Sequence, residues 1–367
     1  MRENIINIKP SVECKRCYET ERTGIRSYRQ GMVEQFKKDF IKNTKDNINL
    51  DYSLDNPKIL YLDLMIDNTC NLRCRYCSSV FSSSWSNETA SLFKEIPVFK
   101  KIMRRPIHMK RLTGLENIES IKNDLRTVEK IYFAGGEPLV NDVHYQILEY
   151  LIDNGKTDVE INYSTNFTNI KRVINYWSKF TNLRVGASLD ANYKRGEYIR
   201  KNLVWNDIVK NRELMIEKLP NVKFSINSTI NIFNAYNIVD FHREWIDKKL
   251  IGPYDFFIYS IVSNPEHYDI KNLPKHHKDN LSKIYKDHIE YLRTLPSANT
   301  NWYFPEFNSN THPDFTIQSF NGILGRLNLD AEDFTSYWEV DKWLDANRNE
   351  SFVEIFPEYS DFETFFR

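Results

Sequence analysis

The tightest constraint on this chain is residues 66–79, IDNTCNLRCRYCSS, which place Cys70, Cys74 and Cys77 in a CxxxCxxC array directly after an apolar, strand-like run. Soft thiolate ligands select zinc or iron–sulfur clusters, and a cubane cluster ordinarily takes four cysteines. This loop supplies three. An iron without a protein thiolate is open to a substrate or cofactor. The competing reading is a structural zinc knuckle, which is closed and needs a fourth ligand. No cysteine follows Cys77, and the other two of the five, Cys14 and Cys17, form a CxxC pair near the start. An odd number in two tight clusters reads as metal chemistry in a reducing compartment, not as a disulfide framework.

From Pro57 onward short apolar runs alternate with amphipathic stretches, the pattern of βα units that build a parallel sheet. The runs predict strands at about 59–66, 129–134, 160–164, 184–189, 223–230 and 256–262. Helices are predicted over 143–154, 169–180, 205–218 and 236–248. Six such units with right-handed crossovers form an open barrel. The expected fold class is therefore α/β, a partial (β/α)6 TIM-type barrel over residues 56–270. Residues 80–127 are an insertion between the first two strands, carrying Lys100, Lys101, Arg104, Arg105, Lys110 and Arg111 beside Met103 and His108. Residues 1–55 form a polar, helix-prone segment that holds the CxxC pair. Residues 271–367 are a helical, aromatic-rich extension in which Leu281, Ile284, Tyr285, Ile289 and Leu292 recur at helical spacing.

Lysine plus arginine equal aspartate plus glutamate at fifty each, so no global field recruits nucleic acid or an anionic membrane. The basic insertion then reads as a solvated helix face. No signal-peptide core and no run of membrane-spanning length appears, and the expected location is the cytoplasm.

Active sites of parallel barrels gather at the carboxyl ends of the strands, and each chemistry-bearing segment here follows such an end. After the second predicted strand come Ala134, Gly135, Gly136, Glu137, Pro138 and Leu139. Consecutive glycines permit close backbone approach, and a buried glutamate can accept hydrogen bonds from an ammonium group. The third strand ends Tyr163, Ser164, Thr165, Asn166, offering hydroxyl and amide groups to ribose or carboxylate oxygens. The fourth ends Ser188, Leu189, Asp190, ten residues before Arg200, whose planar fork can hold both oxygens of a carboxylate. Asn227, Asn231 and Asn234 follow on and after the fifth strand, and Ile261 and Val262 close the sixth. For each residue taken singly, a polar strand cap or helix start is an equal reading.

Taken together these segments resemble the radical S-adenosylmethionine (SAM) superfamily, whose CxxxCxφC motif is matched by Cys70, Cys74, Tyr76 and Cys77. Its GGEP segment is matched by Gly135 to Pro138, its (S/T)TN by Ser164, Thr165 and Asn166, its S(I/L)D by Ser188 to Asp190, and its EYIR by Glu197 to Arg200. The resemblance implies a [4Fe-4S] cluster on Cys70, Cys74 and Cys77 and SAM on its open iron. One electron then cleaves SAM to a 5′-deoxyadenosyl radical that abstracts hydrogen from a substrate, the protein positioning the cofactor. It also implies that Glu137 grips the SAM amino group, that Ser188 contacts SAM, and that Arg200 pairs with its carboxylate. Adenine would lie against Tyr76 and the backbone around Ile261 and Val262. Residues 12–19, VECKRCYE, followed by Gly24, Arg26, Ser27 and Arg29, resemble the end of a twitch auxiliary-cluster domain. That implies a possible incomplete auxiliary site at Cys14 and Cys17: a remnant, a truncated chain, or ligands shared with another polypeptide.

The sequence thus reads as a cytoplasmic radical SAM enzyme of the twitch or SPASM-like group, acting with an external electron donor. The resemblance favours a peptide or protein substrate over a sugar or nucleotide. From a different class, a metal-binding interaction module without catalysis would keep the thiols and use the basic insertion. The catalytic acid or base is not legible, because one barrel supports many radical chemistries.

Overall fold

The structure, a computed structural model, describes residues 11–22, 27–36, 48–54, 57–102, 116–296 and 315–362. The chain divides into two compact units, Met1–Ile59 with Asn299–His312, and Leu60–Ala298 with Pro313–Arg367. In the first unit the described residues form two helices, α1 (Lys15–Arg22) and α2 (Tyr28–Gln35). Ser27 caps α2, its Oγ accepting from the Gln30 N–H while the Gln30 side chain accepts from the Ser27 N–H. Cys14 and Cys17 lie half-buried at the start of α1, not in a disulfide.

The second unit is built on six strands: β1 (Tyr61–Met65), β2 (Lys130–Ala134), β3 (Glu160–Thr165), β4 (Leu183–Ala187), β5 (Lys223–Ile230) and β6 (Phe256–Ile261). They pair in sequence order and every pairing is parallel, in register Leu62 with Ile131, Ile131 with Ile161, and Ile161 with Leu183. β1 and β6 are the outermost strands of the sheet. All six predicted strands are present within two residues of their expected ends. The connecting helices are α3 (Ser86–Glu95), inside the insertion, then α4 (Asp142–Asp153), α5 (Ile170–Trp177), α6 (Tyr193–Ile199), α7 (Trp205–Lys218) and α8 (Ile238–Asp247).

Strand alternation decides what goes where. Ile131, Phe133, Ile161, Tyr163, Val185, Phe224 and Ile226 are buried beneath the helices. Phe133 stacks on Tyr163 at 5.2 Å, and Tyr163 meets Trp177 of α5. Each such side chain contributes about 2–3 kcal/mol through burial. The intervening residues face one another on the other side of the sheet and are polar. Tyr132 Oη lies 2.7 Å from Ser164 Oγ, and Glu160 pairs with Lys130 at 3.4 Å and Arg184 at 3.7 Å. This side of the sheet is therefore polar, with its charged side chains toward the amino ends of the strands.

The C-terminal region supplies α9 (Lys275–Thr294), α10 (Phe315–Leu327) and α11 (Trp338–Arg348). α9 buries Leu281, Tyr285, Ile289 and Leu292 from the predicted stripe. α10 lies along β6, where Thr316 Oγ1 donates to the carbonyls of Tyr254 and Phe256. The far end of β6 stays open, with Tyr259 61% exposed, as is Met65 at 59% on β1. α11 packs its Val340 and Leu344 against Trp85, Leu92 and Phe99 of the insertion. Phe352, Phe356, Tyr359 and Phe362 form an aromatic cluster with Trp338, Tyr198 and Phe233. Of the basic insertion, Lys100 and Lys101 sit on a single turn, while Met103, Arg104, Arg105, His108, Lys110 and Arg111 lie outside the described residues. No helix among the described residues is long and apolar enough to cross a membrane.

Candidate active site

The cysteine loop leaves the carboxyl end of β1 and is fixed along its length. Asn68 Nδ2 donates to the Ser79 carbonyl, Ser84 Oγ to the Cys70 carbonyl, Ser82 Oγ to the Leu72 carbonyl, and Trp85 Nε1 to the Cys74 carbonyl. Residues 73–74 form a two-residue antiparallel ribbon with residues 200–201, pairing Cys74 with Arg200. Cys74 is buried and Cys70 and Cys77 are half-buried, all three as free thiols.

Burial, and then the neighbouring Cys74, pushes the Cys70 thiol up to about 12, and the same causes raise Cys77. Such thiols keep their protons until a metal displaces them. Their donors are in place: the Leu72 N–H lies 3.4 Å from Cys70 Sγ, and Arg200 Nη1 lies 3.7 Å from Cys74 Sγ. Tetrahedral zinc would draw its sulfurs to about 3.8 Å from one another. Among the described residues, the only three ligand-type side chains with ligand atoms all within 4.8 Å are His276, His277 and Asp361. At least one pair of the three sulfurs is thus more than 4.8 Å apart, and among the described residues no fourth side chain joins them in such a group. Three free thiols on one short loop are the donor set of a polynuclear cluster with one open iron.

The His276, His277 and Asp361 group has an ordinary explanation. It lies in the first turn of α9, where the helix dipole favours a carboxylate. His277 Nε2 lies 3.0 Å from Asp361 and its Nδ1 lies 2.8 Å from the Tyr236 hydroxyl.

The turn after β2 is pressed onto the cysteine loop. Gly136 has φ +48°, and a Cβ there would lie 2.3 Å from the Thr69 carbonyl oxygen, while the Glu137 N–H donates to that oxygen at 2.7 Å. A Cβ on Gly135, φ +74°, would meet the Met65 side chain. Gly136 therefore serves close approach of two backbones, and Gly135 that of the Met65 side chain. Pro138 opens a short 3-10 turn and is buried.

Glu137 is buried and accepts from Thr165 Oγ1 at 2.6 Å, the Asn166 N–H at 2.5 Å and the Leu139 N–H at 3.0 Å. Burial pushes its pKa up to about 7 despite these donors. A carboxylate has about four acceptor positions, so beyond these three donors one is left over, which a cation would fill while restoring the charge. Asn166 continues the row, its Nδ2 2.8 Å from Asn71 Oδ1 and 4.0 Å from Cys70 Sγ. Ser188 is half-buried, its N–H donating to the Thr165 carbonyl at 2.7 Å.

On the other flank Asp190, Arg200 and Tyr76 form a closed triangle. Arg200 Nε lies 2.8 Å from Asp190 Oδ2, Arg200 Nη2 lies 2.6 Å from Tyr76 Oη, and Tyr76 Oη donates to Asp190 at 2.6 Å. Asp190 also accepts the Thr229 N–H. Asn231 and Asn234 are fully buried backbone partners, Asn234 Nδ2 donating to the carbonyls of Asp190 and Thr229. They brace the loop without opening onto a cavity. Asn227 lies over Gly186, where a Cβ would come within 2.4 Å of its Nδ2. Val262 is buried and extends the β5–β6 ladder, its N–H donating to the Ile230 carbonyl.

Two bonded groups thus meet at the cysteine loop: Glu137, Thr165 and Asn166 on the Cys70 side, joined by Ser188 through its backbone, and Tyr76, Asp190 and Arg200 on the Cys74 side, where the Cys77 N–H donates to the Cys74 carbonyl. Arg75 was not legible as part of the site. Its guanidinium reaches Asp341, Asp345 and Glu350 at 3.0, 2.5 and 2.8 Å. A signal was present: Asp341, Asp345 and Arg348 fall on the same helical stripe as Trp338, which marks buried ion pairs on an otherwise apolar face.

A family described as the Radical SAM superfamily matches residues 65–243. GTP 3′,8-cyclase of Campylobacter curvus is 24% identical over 189 residues, covering 50% of this chain and 52% of that protein. Radical SAM cyclopropyl synthase TigE of Paramaledivibacter caminithermalis is 29% identical over 204 residues, covering 51% and 40%. The chain spans about half the length, or less, of the curated relatives it matches. Among solved structures, native anSMEcpe with bound AdoMet and Cp18Cys peptide aligns at TM-score 0.44 and 17% identity, over 64% of this chain and 60% of that one. Streptococcus suis SuiB bound to S-adenosylmethionine aligns at 0.42 and 16%, over 76% and 58%. The three thiols, the parallel sheet and the matched segment agree, and residues 65–243 carry a Radical SAM superfamily domain.

Proposed function

We propose that this chain is a radical SAM enzyme in which Cys70, Cys74 and Cys77 hold a [4Fe-4S] cluster and the network at the strand ends receives SAM. When bound, cluster and SAM together supply a one-electron cleavage that leaves a hydrogen-abstracting 5′-deoxyadenosyl radical. The observation that carries this reading is Glu137, a buried carboxylate with an acceptor position left over beside the thiol tripod. Glu137 holds the SAM ammonium, with Gly135, Gly136 and Pro138 fixing its turn. Thr165, Asn166 and Ser188 offer polar groups to ribose and carboxylate, Arg200 faces the carboxylate with Asp190 behind it, and Tyr76 and Val262 border the adenine. An external donor supplies the electron, and the site works in the cytoplasm, away from oxygen. The division into an N-terminal segment with a partial auxiliary site at Cys14 and Cys17, a barrel, and a C-terminal extension belongs to the same reading.

The substrate is a peptide or protein. At the carboxyl end of the described strands Arg200 is taken up by Asp190 and, in this reading, by the SAM carboxylate, while Lys130 and Arg184 are paired to Glu160 at the opposite end. A polar mouth flanked by the exposed Met65 and Tyr259 on the two sheet edges suits an uncharged, extended chain. A nucleotide is the second reading, favoured by the names of two relatives, the GTP 3′,8-cyclase and an S-adenosylmethionine-dependent nucleotide dehydratase of a Fibrobacter strain.

The test is anaerobic reconstitution followed by dithionite and SAM. An iron–sulfur absorption band with release of 5′-deoxyadenosine supports the enzyme, and stoichiometric zinc without cleavage supports a binding module instead. Deuterium appearing in 5′-deoxyadenosine from a perdeuterated peptide digest, and not from perdeuterated nucleotides, supports the peptide reading. The reverse pattern replaces it with the nucleotide one.

A further inference from the structure

The matched segment ends at residue 243, yet the loop that carries its cysteines is completed by residues a hundred positions further on. Arg75 lies between Cys74 and Tyr76, and its side chain is fully buried. Its guanidinium lies 3.6 Å from the centre of the Tyr198 ring, and its Nη atoms reach Asp341, Asp345 and Glu350. The backbone is held as well, with the Arg75 N–H donating to the Ile199 carbonyl at 2.8 Å.

Each carboxylate is itself fixed. Asp341 accepts from Tyr268 Oη at 2.7 Å and lies 2.8 Å from His267 Nε2. Asp345 accepts from Tyr198 Oη and the Phe352 N–H. Glu350 pairs with Lys201, the residue after Arg200 in the ribbon that holds Cys74. A second tie runs parallel: Glu88 of α3 joins Arg73 of the loop to Arg348 of α11.

A buried guanidinium among three carboxylates fixes direction because its donors are planar and cannot rotate independently. Placed one residue from the middle thiol, it sets where that sulfur stands relative to Cys70 and Cys77. We infer that α11 and residues 345–350 are a brace for the cluster loop, with Arg75 as the positioning residue that transmits it to Cys74. This rests on the cluster reading of the three thiols. It adds that the barrel segment alone does not hold the tripod in register.

The experiment compares the full chain with Arg75→Met, Arg75→Lys, Asp345→Asn and a control, Glu358→Gln. Glu358 pairs the same C-terminal region to Arg195 on α6, away from the cysteine loop. After anaerobic reconstitution, iron and sulfide per chain are measured, with the electron paramagnetic resonance spectrum of the reduced cluster and circular dichroism for the fold. Arg75→Met is expected to keep less than half the iron, Arg75→Lys to recover part of it, and Asp345→Asn to shift the spectrum while retaining most of the iron. Glu358→Gln should match the unaltered chain. Full iron and an unchanged spectrum in both Arg75→Met and Asp345→Asn would overturn the brace, as would equal loss in Glu358→Gln. Should Arg75→Met fail to fold, the Asp345→Asn spectrum against Glu358→Gln decides. An unaltered chain that binds no iron defeats the cluster reading instead.

Discussion

Arg200 Nε stands 2.8 Å from Asp190 Oδ2, and both side chains are nearly or wholly shielded from solvent. Asp190 leaves the end of β4 and Arg200 pairs with Cys74, so this contact ties a barrel strand to the middle thiol. Removing one member of a buried pair strands the other charge, at a cost of about 3–5 kcal/mol. Asp190→Asn should lower stability in urea by that order. A loss below about 1 kcal/mol would show that water reaches the guanidinium and that the pair is not the tie described.

Cys74 is the buried thiol of the three, and Cys74→Ala removes a single sulfur from a site held by many other bonds. The cavity term for so small a change is about 1 kcal/mol. The fold should therefore survive, by circular dichroism, while iron content after reconstitution collapses. Full iron in this variant would exclude the tripod as the cluster site.

Gly136 and Gly155 separate strain from collision. Both have positive φ, but a Cβ at Gly155 meets nothing within 4 Å, whereas one at Gly136 meets the Thr69 carbonyl at 2.3 Å. Gly155→Ala should cost about 1 kcal/mol from backbone strain alone. Gly136→Ala must push the cysteine loop away, so a larger fall in melting temperature and a loss of bound iron are expected together. Equal effects of the two substitutions would mean that the turn does not press on the loop.

Much of this architecture could be read from the chain because it is written locally. β5 is legible as a short run carrying Phe224, Ile226 and Ile230, and α7 covers its predicted residues, Trp205 to Lys218. The strand-end motifs were legible for the same reason, since a parallel barrel sends every such loop to one end. Partners far apart in sequence were not. Arg75 and Asp341 are separated by 266 positions, and nothing near either names the other. For Asn231 and Asn234 the sequence does not separate facing a cofactor from bonding to backbone, and both bond to backbone. The Gly135–Gly136 pair announces close approach in the sequence but not what approaches, which is the Met65 side chain and the Thr69 backbone.

Glu137 ties stability to pH in a direction opposite to most carboxylates. Burial raises its pKa from 4.5 to about 7, so between these values the folded chain holds a proton that the unfolded chain has lost. The stabilisation is complete below 4.5 and disappears as pH rises through 7, a change of about 3 kcal/mol at 1.36 kcal/mol per unit. His144 works the other way: burial pushes it down to about 3, so its contribution is present above 6.5 and is lost as pH falls. A single stability curve mixes the two. The difference between the unaltered protein and Glu137→Gln isolates the carboxylate, and it should shrink by about 3 kcal/mol between pH 4.5 and pH 8 in urea titrations without SAM. Adding SAM at pH 8 should restore stability to the unaltered protein more than to Glu137→Gln, because an ammonium beside the carboxylate favours its charged form. Parallel pH curves for the two proteins, or equal stabilisation by SAM, would show that Glu137 is not the cation-binding group.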